Sequence, residues 1–134
     1  MDARDTRTGG HVLVVHEHDG VRKGLERLLR LSGMLVTSAL DGPTALDLLR
    51  EVRPDVVLLN LDTTLLDTDG FEVLRRIRAE PRTAGLPVVM YGSVADPTLR
   101  AQAIAAGAND LIESFTSAVT GLPQLLKRHM RSKE

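Results

Sequence analysis

Two stretches of the chain are apolar without a break: Val12-Leu13-Val14-Val15 within His11 to Val15, and Val56-Val57-Leu58-Leu59 within Asp55 to Leu59. A strand with one face in water alternates between apolar and polar residues. Unbroken runs of this kind therefore predict strands covered on both faces, the central members of a parallel sheet. Leu35 to Leu40, Pro87 to Tyr91 and Asn109 to Glu113 are three shorter candidates spaced between helical patterns, which brings the expected strands to five.

Between the strands the period changes from two to about four. Val21, Leu25, Leu28 and Leu29 form one helical stripe, and Ala45, Leu48, Leu49 and Val52 form another. Gly33 suits a left-handed helix end, Gly42-Pro43 puts proline in a first turn, and Arg53-Pro54 is the expected stop of the second helix. Leu74 and Ile77 anchor a third helix from Gly70. Asp96-Pro97 opens a fourth that Gly107 closes, and Pro123 sets the start of a fifth near Thr120 or Gly121. Five strands alternating with five helices through short connections predict an α/β domain of three layers, a doubly wound parallel sheet between two helical faces. The expected limits are a flexible N-terminal tail over 1–10, a single domain over 11–131 and a C-terminal tail over 132–134.

Composition narrows what such a domain can do. A chain of 134 residues with 43% hydrophobic and 26% charged residues is an ordinary globular domain. Its net charge of -1 gives no electrostatic reason to expect nucleic acid or an anionic membrane as a direct partner. Phe71, Phe115 and Tyr91 are the only aromatic residues besides histidine, too few for base-stacking platforms. The absence of cysteine removes thiolate metal sites and cysteine nucleophiles. No apolar run reaches the ~20 residues of a membrane span, and the polar start lacks a signal-peptide core, so a cytoplasmic location is expected.

In open sheets of this kind, ligands bind outside the carboxyl ends of the strands. Those ends carry His16-Glu17-His18-Asp19, Asn60-Leu61-Asp62, Gly92-Ser93 and Glu113-Ser114. His11-Val12-Leu13-Val14-Val15 running into that acidic cluster and then Val21-Arg22, Arg53-Pro54-Asp55-Val56-Val57-Leu58-Leu59, Asp69-Gly70-Phe71-Glu72-Val73-Leu74, Leu86-Pro87-Val88-Val89-Met90 and Ala105-Ala106-Gly107-Ala108 follow one another over most of the chain. Together they resemble the receiver domain of two-component response regulators. The resemblance implies a flavodoxin-like (βα)5 fold with strand order 2-1-3-4-5. It also implies an aspartate on strand 3 that accepts a phosphoryl group, two acids after strand 1 that hold Mg²⁺, a hydroxyl after strand 4, a lysine after strand 5 and an aromatic switch residue on strand 5.

This sequence departs from that pattern at almost every one of those places. Asn60 stands at the acceptor position, His16 replaces the first acid while Glu17 keeps the second, Gly92 has no hydroxyl, Ser114 replaces the lysine and Leu111 the aromatic switch. A carboxamide is no nucleophile toward phosphorus. The expected function is therefore that of a pseudo-receiver, a non-enzymatic signalling module without a cofactor. It would act by contact with another signalling protein or with a second copy of itself. The alternative is a domain that responds to a metal ion or to pH through His16, Glu17 and Asp62. Asn60-Leu61-Asp62-Thr63-Thr64 approaches the D-x-D-x-T pattern of haloacid-dehalogenase-like phosphatases but lacks their nucleophile.

The expected contact surface is the fourth helix, fifth strand and fifth helix, through which related domains associate. Leu99, Ala103 and Ala106 make the core stripe of the fourth helix, while Ala101, Ile104, Ala105 and Ala108 form a second apolar stripe. Arg100, Ile104 and Ala108 are the surface candidates, and Ile104 is the residue that helix propensity does not explain.

Overall fold

The computed structural model describes residues 9–61, 70–92, 96–113 and 121–130. Five strands, β1 (His11–Val15), β2 (Leu35–Ala39), β3 (Val56–Asn60), β4 (Val88–Gly92) and β5 (Asp110–Glu113), alternate with α1 (Asp19–Leu31), α2 (Gly42–Leu48), α3 (Gly70–Ala79), α4 (Pro97–Ala105) and α5 (Leu122–His129). All pairings are parallel and the order is β2-β1-β3-β4-β5, with Val12 opposite both Val36 and Val56. This is the flavodoxin-like arrangement expected from the sequence.

Strand period two sorts the apolar side chains onto two faces. Leu13, Val15, Val57, Leu59, Val88, Met90 and Leu111 pack with Ala45, Leu74 and Ile77 under α2, α3 and α4. Val12, Val14, Val56, Leu58, Val89 and Tyr91 pack with Leu25, Leu29, Leu122 and Leu126 under α1 and α5. Both faces of β1, β3 and β4 are thus dry, which explains their unbroken apolar runs. The edge strands β2 and β5 keep half-buried positions.

The helix ends use local hydrogen bonds. Asp41 and Asp96 cap α2 and α4 by accepting from the Thr44 and Leu99 amides at 2.9 and 2.7 Å. Gly33 and Gly107 close α1 and α4 at φ of 89° and 113°, conformations that glycine adopts without a Cβ clash. Two boundaries differ from expectation. Helix α2 ends at Leu48, and a turn reaches Val52 before Pro54, because the Leu48 carbonyl receives both the Glu51 and the Val52 amide. Gly9 and Gly10, expected in the tail, are packed: Gly9 is buried against Met34, and the Gly10 carbonyl accepts from Leu35 at 2.9 Å.

Candidate functional site

The carboxyl ends of β1, β3 and β4 bring His16, Glu17, Asn60, Tyr91 and Gly92 to one edge of the sheet. Alternation along the strands places Asn60 and Tyr91 on the same face as Leu58 and Val89, above α1 and α5, and the register sets them opposite each other. Asn60 is only 5% exposed, and its Nδ2 donates to Glu17 Oε1 at 3.0 Å. The His16 ring lies 5.6 Å from the Tyr91 ring at a tilt of 42°.

The turn from β1 into α1 is built on imidazole. His16 Nδ1 accepts from the His18 amide at 3.0 Å, and His18 Nδ1 accepts from the Val21 amide at 3.2 Å as the α1 cap. Arg22 reaches back from α1, donating to the His16 carbonyl at 3.0 Å and pairing with Asp19 at 2.6 Å. That guanidinium holds the Asp19 carboxyl below the usual carboxylate range, by its hydrogen bond first and its charge second.

Tyr91 is buried, and among the described residues its hydroxyl meets no hydrogen-bond partner. Burial, and after it the negative charge of Glu17, pushes the phenol well above its ordinary 10.0. The sequence reading did not single out Tyr91. The signal was present in the period-two alternation of Val89 and Tyr91, which matches that of Leu58 and Asn60.

Asp55, the carboxylate of the β3 segment among the described residues, lies at the opposite edge. It is buried just before β3, its Oδ2 accepts from the His11 amide at 2.8 Å, and its own amide donates to the His11 carbonyl at 2.7 Å. Gly92 is buried at the end of β4, opposite Glu113. Leu111 is 2% exposed and packs in the core under α2, α3 and α4. Asp62 and Ser114 lie outside the described residues.

The expected contact surface is only partly exposed. Ile104 is 45% exposed, and Ala101 and Ala105 are also open to solvent. Ala108 is not a surface residue: the chain turns inward at Gly107, and Ala108 joins the core at 6% exposure. Arg100 pairs with Asp110 of β5 at 2.9 Å, and Asp110 also meets His129 of α5 at 3.5 Å, tying the three elements together.

With this geometry in view, the response regulator receiver domain family matches residues 12–115. The chain belongs to that family. Over 101 residues the receiver is 38% identical to the transcriptional regulatory protein AfsQ1 of Streptomyces coelicolor, an alignment covering 75% of this chain and 43% of AfsQ1. It spans about half the length of the curated relatives it matches, or less. The chemotaxis protein CheY4 of Vibrio cholerae superposes with a TM-score of 0.82 at 23% identity, covering 90% of this chain and 98% of CheY4. The receiver domain of the sensor histidine kinase PA1611 from Pseudomonas aeruginosa superposes at 0.78 with 26% identity, covering 91% and 98%; that structure holds a magnesium ion in its active-site cleft.

The described residues of this receiver do not fit such an ion. Mg²⁺ is a hard, strongly hydrated cation held through carboxylate oxygens. Of the described carboxylates at this edge, Glu17 already accepts from Asn60 through one oxygen, Asp19 is paired with Arg22, and Glu113 stands at the end of the edge strand β5. Among the described residues no group of three histidine, aspartate or glutamate side chains could hold a metal ion. Several carboxylates packed together repel one another and need a cation. A carboxylate paired with a carboxamide donor satisfies itself. Nor is any helix among the described residues long and apolar enough to cross a membrane.

Proposed function

We propose that this receiver is a signalling module that is not switched by aspartyl phosphorylation and acts by protein-protein contact. The observation that carries the reading is the bond from Asn60 to Glu17 at the carboxyl end of β3. There a neutral amide takes the place that the family pattern gives to a nucleophilic carboxylate. Supporting it, Asp55 faces the other edge with its carboxylate on the His11 amide, Gly92 brings no hydroxyl, and Leu111 is an aliphatic core residue where the pattern has an aromatic switch. A receiver without a phosphoryl site has no catalytic group of the family kind to contribute, so we assign no enzymatic step. The transcriptional role named for AfsQ1 belongs to a protein of which this chain covers 43%, and only the receiver's part is carried over. The contact surface we favour is α4, β5 and α5, where Ile104 stands exposed beside the Arg100–Asp110 pair.

Incubation with acetyl phosphate and Mg²⁺ followed by intact-mass measurement tests the first part. The expected result is no added phosphoryl group, and a stoichiometric adduct on the wild-type chain overturns the reading. For the contact surface, Ile104→Asp should weaken self-association or partner binding with the fold unchanged. Unchanged mass by light scattering together with unchanged partner binding removes that surface. A metal-responsive role through His16, Glu17 and Asp62 would instead show as Zn²⁺ or Ni²⁺ binding that His16→Ala abolishes.

A further inference from the structure

The groove between α2 and α3, about 320 Å³ in volume, stands apart from the edge described above and shares no residue with it. Arg50 enters it from the turn after α2, Arg76 from α3 and Arg82 from the turn after α3, while Asp47 and Glu80 flank them over Leu46. An adjoining smaller depression shares Arg82 and adds Arg53. Arg76 is held by Glu72 at 3.0 Å. Among the described residues the side chains of Arg50, Arg82, Asp47 and Glu80 form no ion pair or hydrogen bond, so the opposite charges that line this groove do not close on one another across it.

Each component of the lining selects ligand chemistry. Planar guanidinium forks match phosphate oxygens, and three on one recess favour an anion of more than one charge. Carboxylates can only accept, so an occupant must present hydroxyl or amino donors to Asp47 and Glu80. Leu46 and the aliphatic stems of the arginines offer an apolar bed for a flat or carbon-rich portion. A bare phosphate meets only the first demand and is repelled by the two carboxylates. An acidic peptide would bring further carboxylates against Asp47 and Glu80, and the recess has the volume of a small-molecule site. A nucleoside phosphate meets all three demands: its phosphates accept, its sugar hydroxyls and base amine donate, and its base is flat. We propose that the groove between α2 and α3 binds a nucleoside phosphate, with Arg50, Arg76 and Arg82 on the phosphates and Asp47 and Glu80 on the hydroxyl or amino groups.

The experiment is an amide-resolved NMR titration of the whole chain with ATP, GTP, inorganic phosphate and a poly-glutamate peptide as separate probes. At least one nucleotide should shift amides around Leu46, Arg50 and Arg82 and bind at least tenfold more tightly than inorganic phosphate. The double variant Arg50→Ala/Arg82→Ala, at two exposed positions beyond the helix ends, should weaken nucleotide binding at least tenfold. Asp47→Asn should reduce the preference for nucleotide over inorganic phosphate. Equal binding of phosphate and nucleotide overturns the proposal, as does peptide binding without nucleotide binding, shifts confined to other surfaces, or no change in the double variant. None of these outcomes depends on whether Asn60 can be phosphorylated.

Discussion

At the amino edge of the sheet, polar side chains bond to backbone groups of distant segments; at the carboxyl edge, the bonds seen among the described residues join side chains to one another and to the turn that carries them. Arg78 at the amino edge donates to the carbonyls of Gly107 at 2.9 Å, Ala84 at 3.1 Å and Leu86 at 2.6 Å, and to Asn109 Oδ1 at 3.1 Å. Asn109 Oδ1 in turn accepts from the Val88 amide at 2.9 Å. Asp55 fixes the start of β1 in the same way. At the other edge, Asn60 donates to Glu17, His16 and His18 accept from their own turn, and the Tyr91 hydroxyl has no partner among the described residues. The first pattern is what structural polar groups do: every buried donor and acceptor is matched, and removing one orphans several. The second is what the proposed loss of a phosphoryl site would leave: side chains packed well enough to fold but not matched one to one.

The comparison predicts unequal costs. Arg78→Ala should be the most damaging change outside the apolar core, since it takes the guanidinium from the carbonyls of Gly107, Ala84 and Leu86 and leaves Asn109 Oδ1 with the Val88 amide. Urea denaturation should show a loss of about 2–4 kcal/mol. A loss below ~0.5 kcal/mol would mean that water replaces the guanidinium freely, and the contrast between the edges would collapse.

Asn60→Asp probes the carboxyl edge by restoring the residue type of the family pattern. The introduced carboxylate would sit about where the amide now donates, 3.0 Å from Glu17 Oε1. Two adjacent carboxylates cannot both ionise cheaply, so one is pushed above its ordinary range in the folded state. A raised carboxyl binds its proton more tightly folded than unfolded. The variant should therefore match wild type below about pH 4 and lose about 1–2 kcal/mol relative to it as pH rises to 7. Millimolar Mg²⁺ should return part of the loss. A pH-independent difference would show that the pair is not in contact.

Much of the fold could be read from the chain because burial on both faces leaves a direct mark. The unbroken apolar runs at Val12 and Val56 named the central strands, and Asp96-Pro97 and Gly107 bounded α4. The α2 terminus was missed because its apolar stripe continues to Val52 through a turn that keeps a helix-like bond to Leu48. Ala108 was misplaced because the helical period was extended past Gly107, where positive φ redirects the chain. At the candidate site, Asn60 and Glu17 could be named from sequence, but their mutual bond could not, since it joins a strand end to a turn 43 residues away. Arg78 carried no signal at all: one arginine among several on α3, its role is set by carbonyls brought to it from Ala84, Leu86 and Gly107.

The smallest expected effect concerns Tyr91. Its hydroxyl is buried without a partner among the described residues, so Tyr91→Phe should remove a desolvated dipole and no bond, and leave stability unchanged or raise it by up to about 1 kcal/mol. The chain has one tyrosine, which makes tyrosinate absorbance a direct report on this ring. With the folded phenol raised above 10.0, the unfolded chain loses its proton first, so the hydroxyl's contribution is intact below pH 10.0 and declines as pH rises beyond it. The native protein should show no tyrosinate signal near pH 10.0, and the signal should emerge together with loss of far-ultraviolet circular dichroism. Ordinary titration near pH 10.0 with the fold intact would mean that solvent reaches the ring and that the carboxyl edge is open. A destabilisation of Tyr91→Phe above ~1 kcal/mol would mean that the hydroxyl has a partner and that this edge, like the other, is built from matched polar groups.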